Sequence, residues 1–186
     1  MTKKPREHAK RSPPSRIILG IDPGVAIIGY AALREERGSL TLLACDVIRT
    51  STRLPLEKRL QSMYEQIHGL LHAFAPTEAA IEALFFGKNR KTAMEVGQAR
   101  GVLLLALAQQ EISVAHYSPS QVKLAVTGYG GANKQQVGEM VRVLLTLPAI
   151  PRPDDAADAA AVALCHATVS AWRSRINQPI RKDCQP

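Results

Sequence analysis

The chain has 186 residues, 46% hydrophobic and 22% charged, which suits a single soluble globular domain with a sizeable core and excludes a disordered or collagen-like chain. Its 24 Lys and Arg against 16 Asp and Glu give +8, a balance that points toward polyanions. That excess lies at the ends: residues 1–16 hold six basic groups and one acid, residues 171–186 hold four and one, and the stretch between is formally neutral.

Residues 1–16, rich in Lys, Arg, Pro and Ser, read as a flexible basic arm. Ile17–Asp22 is a short apolar run closed by Asp22-Pro23-Gly24, the pattern of a buried strand ending in a turn. Ala26–Leu33 and Leu40–Arg49 follow as strands around a turn at 34–39, which predicts an antiparallel meander. From Leu56 the apolar period changes to three and four, through Leu60, Met63, Ile67, Leu70, Leu71 and Phe74, so a helix is expected until Pro76 stops it.

Ala79–Phe85 predicts a fourth strand, apolar except for Glu82, and Lys88–Gln110 a long helix whose Leu103, Leu104, Leu105 and Leu107 need cover on more than one side. Ile112–Tyr117 is a fifth strand. Ser118 is placed to cap a short helix with Pro119 in its first turn, and Asn133 to cap another from Lys134 to Leu147. Pro148, Pro151 and Pro153 precede an Ala-rich helix from Asp154 to about Ser174. Three strands followed by helix–strand–helix–strand units predict one α/β domain over residues 17–174, a five-stranded mixed sheet flanked by helices, with a flexible tail at 175–186. In such sheets function gathers at strand ends and helix N-termini.

Cys45, Cys165 and Cys184 show no C-x-x-C spacing, so a disulfide framework and a zinc ribbon are not expected and a reducing cytoplasmic setting is. The apolar stretch Val102–Ala108 is far short of the roughly 20 residues that span a bilayer, and prolines in the basic start leave no secretory pattern.

Four carboxylates stand where apolar patterning does not call for them. Asp22 ends a strand, Glu82 interrupts one, and Asp155 and Asp158 lie three apart on one face of the last helix. Each also has a purely structural reading: a turn former, a solvent-facing strand residue, acids that complement a helix dipole. Brought together, they would repel and raise one another's pKa unless cations neutralised them. Oxygen-only ligands suit Mg²⁺ or Mn²⁺, and two such ions roughly 4 Å apart are the known device for phosphodiester cleavage.

Ile18-Leu-Gly-Ile-Asp-Pro-Gly24 with Gly29-Tyr30, Ala80-Ile-Glu-Ala-Leu-Phe85 followed by Lys88-Asn89, Gly97-Gln-Ala-Arg-Gly101, Gln121-Val-Lys123 and Asp155-Ala-Ala-Asp158 resemble the bacterial RuvC-type Holliday-junction resolvases, collinearly from about Ile17 to Ala167. The resemblance implies a ribonuclease H-like fold and a homodimer that cuts two opposed strands of four-way junction DNA in recombination and repair. It also implies about two Mg²⁺ or Mn²⁺ ions per subunit and a branch-migration helicase as partner. Carried over residue by residue, Asp22, Glu82, Asp155 and Asp158 are metal-binding catalytic carboxylates. Lys123 and Lys134 serve catalysis or phosphate contact, Phe85 stacks at the junction, and Lys88 touches DNA. His72, His116 and His166 read as structural or exposed. Val25 after Pro-Gly and Asn133 before Lys134 depart from the family's usual residues. The alternatives weighed are an RNA-processing nuclease on the same scaffold, an actin-like ATPase, for which the core is too short, and a non-catalytic junction-binding module.

Overall fold

A computed structural model of the chain describes residues 15–83 and 90–176. The elements follow the predicted order: β1 (Arg16–Asp22), β2 (Ile27–Glu36), β3 (Ser39–Arg49), α1 (Leu56–Phe74), β4 (Glu78–Glu82), α2 (Arg90–Gln109), β5 (Ser113–Tyr117), α3 (Pro119–Thr127), α4 (Lys134–Leu144) and α5 (Asp154–Ile176). They build one five-stranded mixed sheet in the order β3-β2-β1-β4-β5. The first three strands pair antiparallel, while β1–β4 and β4–β5 pair parallel, with α1 and α2 as the crossovers.

Side-chain alternation divides the core into two layers. Leu19, Ile21, Ala79 and Ile81 point to one face, where Met63, Ile67 and Leu71 of α1 and Leu103 and Leu107 of α2 cover them. Ile18, Ala80 and Tyr117 point to the other, under α3, α4 and α5. The contact of α5 with the sheet is unusually close: a Cβ at Gly20 would stand 2.2 Å from the Ala159 carbonyl oxygen and 2.7 Å from the Ala163 Cβ. Glycine there lets the helix backbone rest directly on β1.

Several boundaries differ from the sequence-based expectation. The turn between β2 and β3 is not spread over 34–39. Both strands continue, and Arg37 and Gly38 alone turn the chain at φ 54° and 82°, a two-residue hairpin whose positive φ values match the strand twist. Helix α4 ends at Leu144 rather than Leu147, because Pro148 disfavours helical geometry at the residue before it. The chain instead turns through Thr146 at φ 53°, and the Leu147 N–H returns to the Arg142 carbonyl at 2.8 Å. Arg16, assigned to the arm, is the first residue of β1 and is ion-paired with Glu35 and Glu78. Likewise α5 runs two residues into the segment assigned to the tail. Strand β4 ends at Glu82, although the Ala83 N–H still bonds the Tyr117 carbonyl at 2.7 Å. Phe85 and Lys88, the expected start of the second helix at Lys88, and most of the arm and tail lie outside the described residues. Among the described residues no helix is long and apolar enough to cross a membrane.

Candidate active site

Asp22 is the last residue of β1 and Glu82 the last of β4; these strands are parallel neighbours, and both acids stand one residue beyond the Ile21–Ile81 pair. They share the face that α5 covers. Asp155 and Asp158 come from the first turns of α5, whose N-terminus overhangs the same strand ends. Gly29 makes this overlap possible. It pairs with Asp22 across β1 and β2, and a Cβ on it would fall 1.8 Å from the Asp155 carbonyl oxygen. Sequence reading quoted Gly29 only as part of a motif and missed this role, which depends on a helix more than a hundred residues downstream.

Local signals place the lysines. Asn133 caps α4 with a full capping box, its side chain accepting from the Gln136 N–H at 2.9 Å while Gln136 accepts from the Asn133 N–H, so Lys134 starts the helix at a fixed point. Its ammonium donates to Asp158 Oδ2 at 2.9 Å. Ser118 caps α3 in the same way and sets the position of Lys123, whose charge acts on Glu82.

The electrostatics describe a crowded anionic group. Burial, then Glu82, Asp158 and Asp155, push the Asp22 carboxyl up to about 7, with Lys134 opposing. Glu82 is raised as well, first by burial and then by Asp158, against the pull of Lys134 and Lys123. The hydrogen bond to Asp158 holds Lys134 above its ordinary value. A cavity of about 270 Å³ opens beside this group, lined by Lys134, Gly138, Arg152, Asp154 and Asp158 among others. A larger cleft of about 470 Å³ lies along α4, between Tyr129 and Met140, and none of the four expected carboxylates lines it.

Residues 18–166 match the family described as crossover junction endodeoxyribonuclease RuvC. The chain belongs to the RuvC family. The enzyme of that name from Roseiflexus sp. (strain RS-1) is 53% identical over 160 residues, covering 86% of this chain and 95% of its own. That of Natranaerobius thermophilus is 49% identical over 160 residues, 86% of this chain and 99% of its own. Among solved structures, Thermus thermophilus RuvC in complex with a Holliday junction substrate superposes with a TM-score of 0.81 at 35% identity, over 86% of this chain and 97% of that one. The fold is therefore ribonuclease H-like, and the chain is a nuclease of the crossover junction endodeoxyribonuclease type.

Within this RuvC-family site, the four expected carboxylates and both expected lysines lie at one end of the sheet, near enough for their charges to act on Asp22 or Glu82. Among the described residues, no three His, Cys, Asp or Glu side chains are gathered closely enough to hold a metal ion as they stand. Asp158 is instead bonded to Lys134. The donor chemistry nonetheless fits a hard divalent cation: every donor is a carboxylate oxygen, and burial first and then mutual repulsion lift Asp22, both of which a bound cation would offset.

The sequence analysis quoted Arg100 within the Gly97–Gly101 motif but gave it no role. Its guanidinium donates to the Glu82 carbonyl at 2.7 Å and to His116 Nδ1 at 2.7 Å, tying the end of β4 to α2 and β5. The signal was present, a lone Arg in an otherwise small and apolar helical stretch.

Proposed function

We propose that the chain resolves four-way DNA junctions as a homodimer, each subunit nicking one of two opposed strands with divalent metal. The observation that carries this reading is the convergence of Asp22, Glu82, Asp155 and Asp158 from β1, β4 and α5, with Lys134 bonded to Asp158. The junction complex of the Thermus relative supports four-way DNA as the substrate. In this reading the four carboxylates hold Mg²⁺ or Mn²⁺, two ions per subunit. Bound there, the ions supply charge neutralisation at the phosphate and a more acidic water.

The chain's own side chains supply the rest. Lys134 stands at the rim with its ammonium toward Asp158 and can move to a phosphate oxygen once the carboxylate is otherwise neutralised. Lys123, near Glu82, adds a second positive charge on the side of α3. The half-buried position of Asp22 limits water around the carboxylates, which strengthens each electrostatic contact. Phe85 is assigned to stacking on a junction base and Lys88 to DNA contact.

The nuclease unit runs from β1 to α5, and the basic residues before and after it add sequence-independent attraction to phosphate. On α2, Met94 and Leu105 are 65% and 55% exposed, and these apolar groups suit an isologous dimer whose two-fold axis matches that of the junction. A cytoplasmic location and docking to a branch-migration helicase complete the proposal.

The test is incubation with a synthetic four-way junction and a matched duplex, each with Mg²⁺, Mn²⁺ or chelator. Paired symmetric nicks in the junction alone, lost with chelator, are expected. Cleavage of RNA or an RNA–DNA hybrid in their place would transfer the site to an RNA-processing reading.

A further inference from the structure

The three elements that carry the carboxylates are joined a second time, far below the site. Glu78, four residues before Glu82 on β4, accepts from two partners. Arg16, at the start of the strand that ends in Asp22, donates to it through Nη1 at 2.9 and 3.0 Å, and His166 of α5 meets it through Nε2 at 2.6 Å. His166 Nδ1 in turn lies 2.9 Å from the Tyr117 hydroxyl of β5. An ionised carboxylate only accepts, so the tautomer that satisfies every group has Nε2–H donating to Glu78 and Tyr117 O–H donating to Nδ1. Arg16 Nη2 also reaches Ser170 Oγ, one turn further along α5, at 2.7 Å.

The spacing is matched. At about 1.5 Å per helical residue, His166 lies roughly 12 Å along α5 from Asp158; at about 3.3 Å per strand residue, Glu78 lies roughly 13 Å along β4 from Glu82. Apart from Val162 and a hydrogen bond from Cys45 Sγ to the Ala156 carbonyl at 3.1 Å, the face laid on β1 is built of small residues. Ala156, Ala159, Ala160 and Ala163 are fully buried, and Gly20 beneath them has no side chain, so the packing is close but smooth. Smooth packing resists separation more than sliding. The hydrogen-bonded chain from Tyr117 to Arg16 is directional and resists the slide.

We propose that Tyr117, His166, Glu78 and Arg16 form a positioning clamp that sets the height of α5 on the sheet. The clamp thereby sets where Asp155 and Asp158 stand opposite Asp22 and Glu82, and its role rests on the assignment of those four carboxylates as the reactive site. His166 is its central positioning residue because its two ring nitrogens join the helix to β4 and β5 at once. A displacement of about 1 Å at a reactive centre costs on the order of 100-fold in rate.

The test compares the full-length His166→Ala, His166→Gln and Tyr117→Phe variants with Ile67→Ala, a core change on the opposite sheet face that lowers stability without touching α5. Four quantities are measured: single-turnover junction cleavage, junction affinity, the Mg²⁺ concentration at half-maximal rate, and Tm with and without Mg²⁺. His166→Ala is expected to cut about 30- to 100-fold more slowly at unchanged affinity, with half-maximal Mg²⁺ raised several-fold and a smaller Mg²⁺-induced rise in Tm. His166→Gln keeps a donor for Glu78 and is expected to recover most of the rate, and Tyr117→Phe to lose only a few-fold. If His166→Ala does not fold, Glu78→Gln carries the same comparison.

A rate for His166→Ala equal to that of Ile67→Ala at matched Tm would overturn the clamp, as would a loss confined to junction affinity. Asp158→Asn, run alongside, separates the two readings. If it cuts at the wild-type rate, the site assignment falls and the clamp's role with it. If it is silent while His166→Ala is fully active, only the clamp falls.

Discussion

Lys134 Nζ and Asp158 Oδ2 are 2.9 Å apart, across the gap between the first turns of α4 and α5. The lysine side chain is 72% exposed and the carboxylate 31%, so the pair sits at the mouth of the site, where solvent screening keeps its contribution to stability small. Its value is positional. In the proposed function the pair keeps a cation beside the acids, from where it would exchange Asp158 for a phosphate oxygen.

Lys134→Gln is therefore expected to leave Tm nearly unchanged and to slow single-turnover cleavage by about 100-fold, the usual scale for one lost donor to developing charge. The slope of log K against log[salt] for junction binding is expected to fall by about one unit. Both are read from a cleavage time course and a salt titration on the same preparation.

Asp22→Asn removes the charge that crowds the site. Wild-type protein is expected to gain about 2.7 kcal/mol when Mg²⁺ reaches 100 times its dissociation constant, or about 5–10 °C in Tm for a chain of this size. The variant is expected to lose that gain together with cleavage, while junction binding stays equal or tightens because a negative group no longer opposes phosphate. Scanning calorimetry in chelator and in Mg²⁺ measures the first effect and a gel-shift titration the second.

Gly29→Ala tests the overlap of α5 with β2. The added methyl would meet a backbone carbonyl oxygen at 1.8 Å, which no side-chain rotation relieves. The expected cost is about 1–3 kcal/mol of stability. A disproportionate loss of cleavage is also expected at temperatures where the variant is still folded, because the oxygen being displaced belongs to Asp155.

Glu78 predicts the acid limb of stability. Burial, the largest single influence, raises its carboxyl, but hydrogen bonds from His166 and Arg16 and the Arg16 charge together bring it below its ordinary value of 4.5. A folded value below the unfolded one means stabilisation present above about pH 4.5 and lost as pH falls through the lower folded value. Urea midpoints of wild type and Glu78→Gln are expected to differ at pH 7 and to converge toward pH 3.

On α2, Leu105 is exposed while Leu103 and Leu107 are buried. Leu105→Asp is therefore expected to yield folded monomers, visible by light scattering with an unchanged circular dichroism spectrum. Leu104 packs partly against the core, so the same change there would confound dissociation with misfolding. Mixed dimers of wild type with Asp22→Asn are expected to nick a junction once and release no resolved duplex. Full resolution by dimers verified to hold one active subunit would refute the two-site scheme.

The order of strands and helices, the four carboxylates and both capping residues were legible in the amino-acid sequence, because each rests on interactions a few residues long. Alternation and three-to-four spacing mark the elements, an acid in an apolar strand stands out, and Ser118 and Asn133 bond backbone groups three positions away. Tertiary structure alone decided that β4 lies beside β1, which brings Glu82 next to Asp22, and that Gly29 and Gly20 admit the backbone of α5. It also decided that Lys134 meets Asp158, that Arg100 holds the Glu82 carbonyl, and that Arg16 opens β1 and pairs with Glu78 rather than lying in the arm. These relationships join residues as far apart as 62 and 154 positions. No local propensity encodes them, since they exist only once strand pairing and the packing of α5 have brought distant side chains into hydrogen-bonding range.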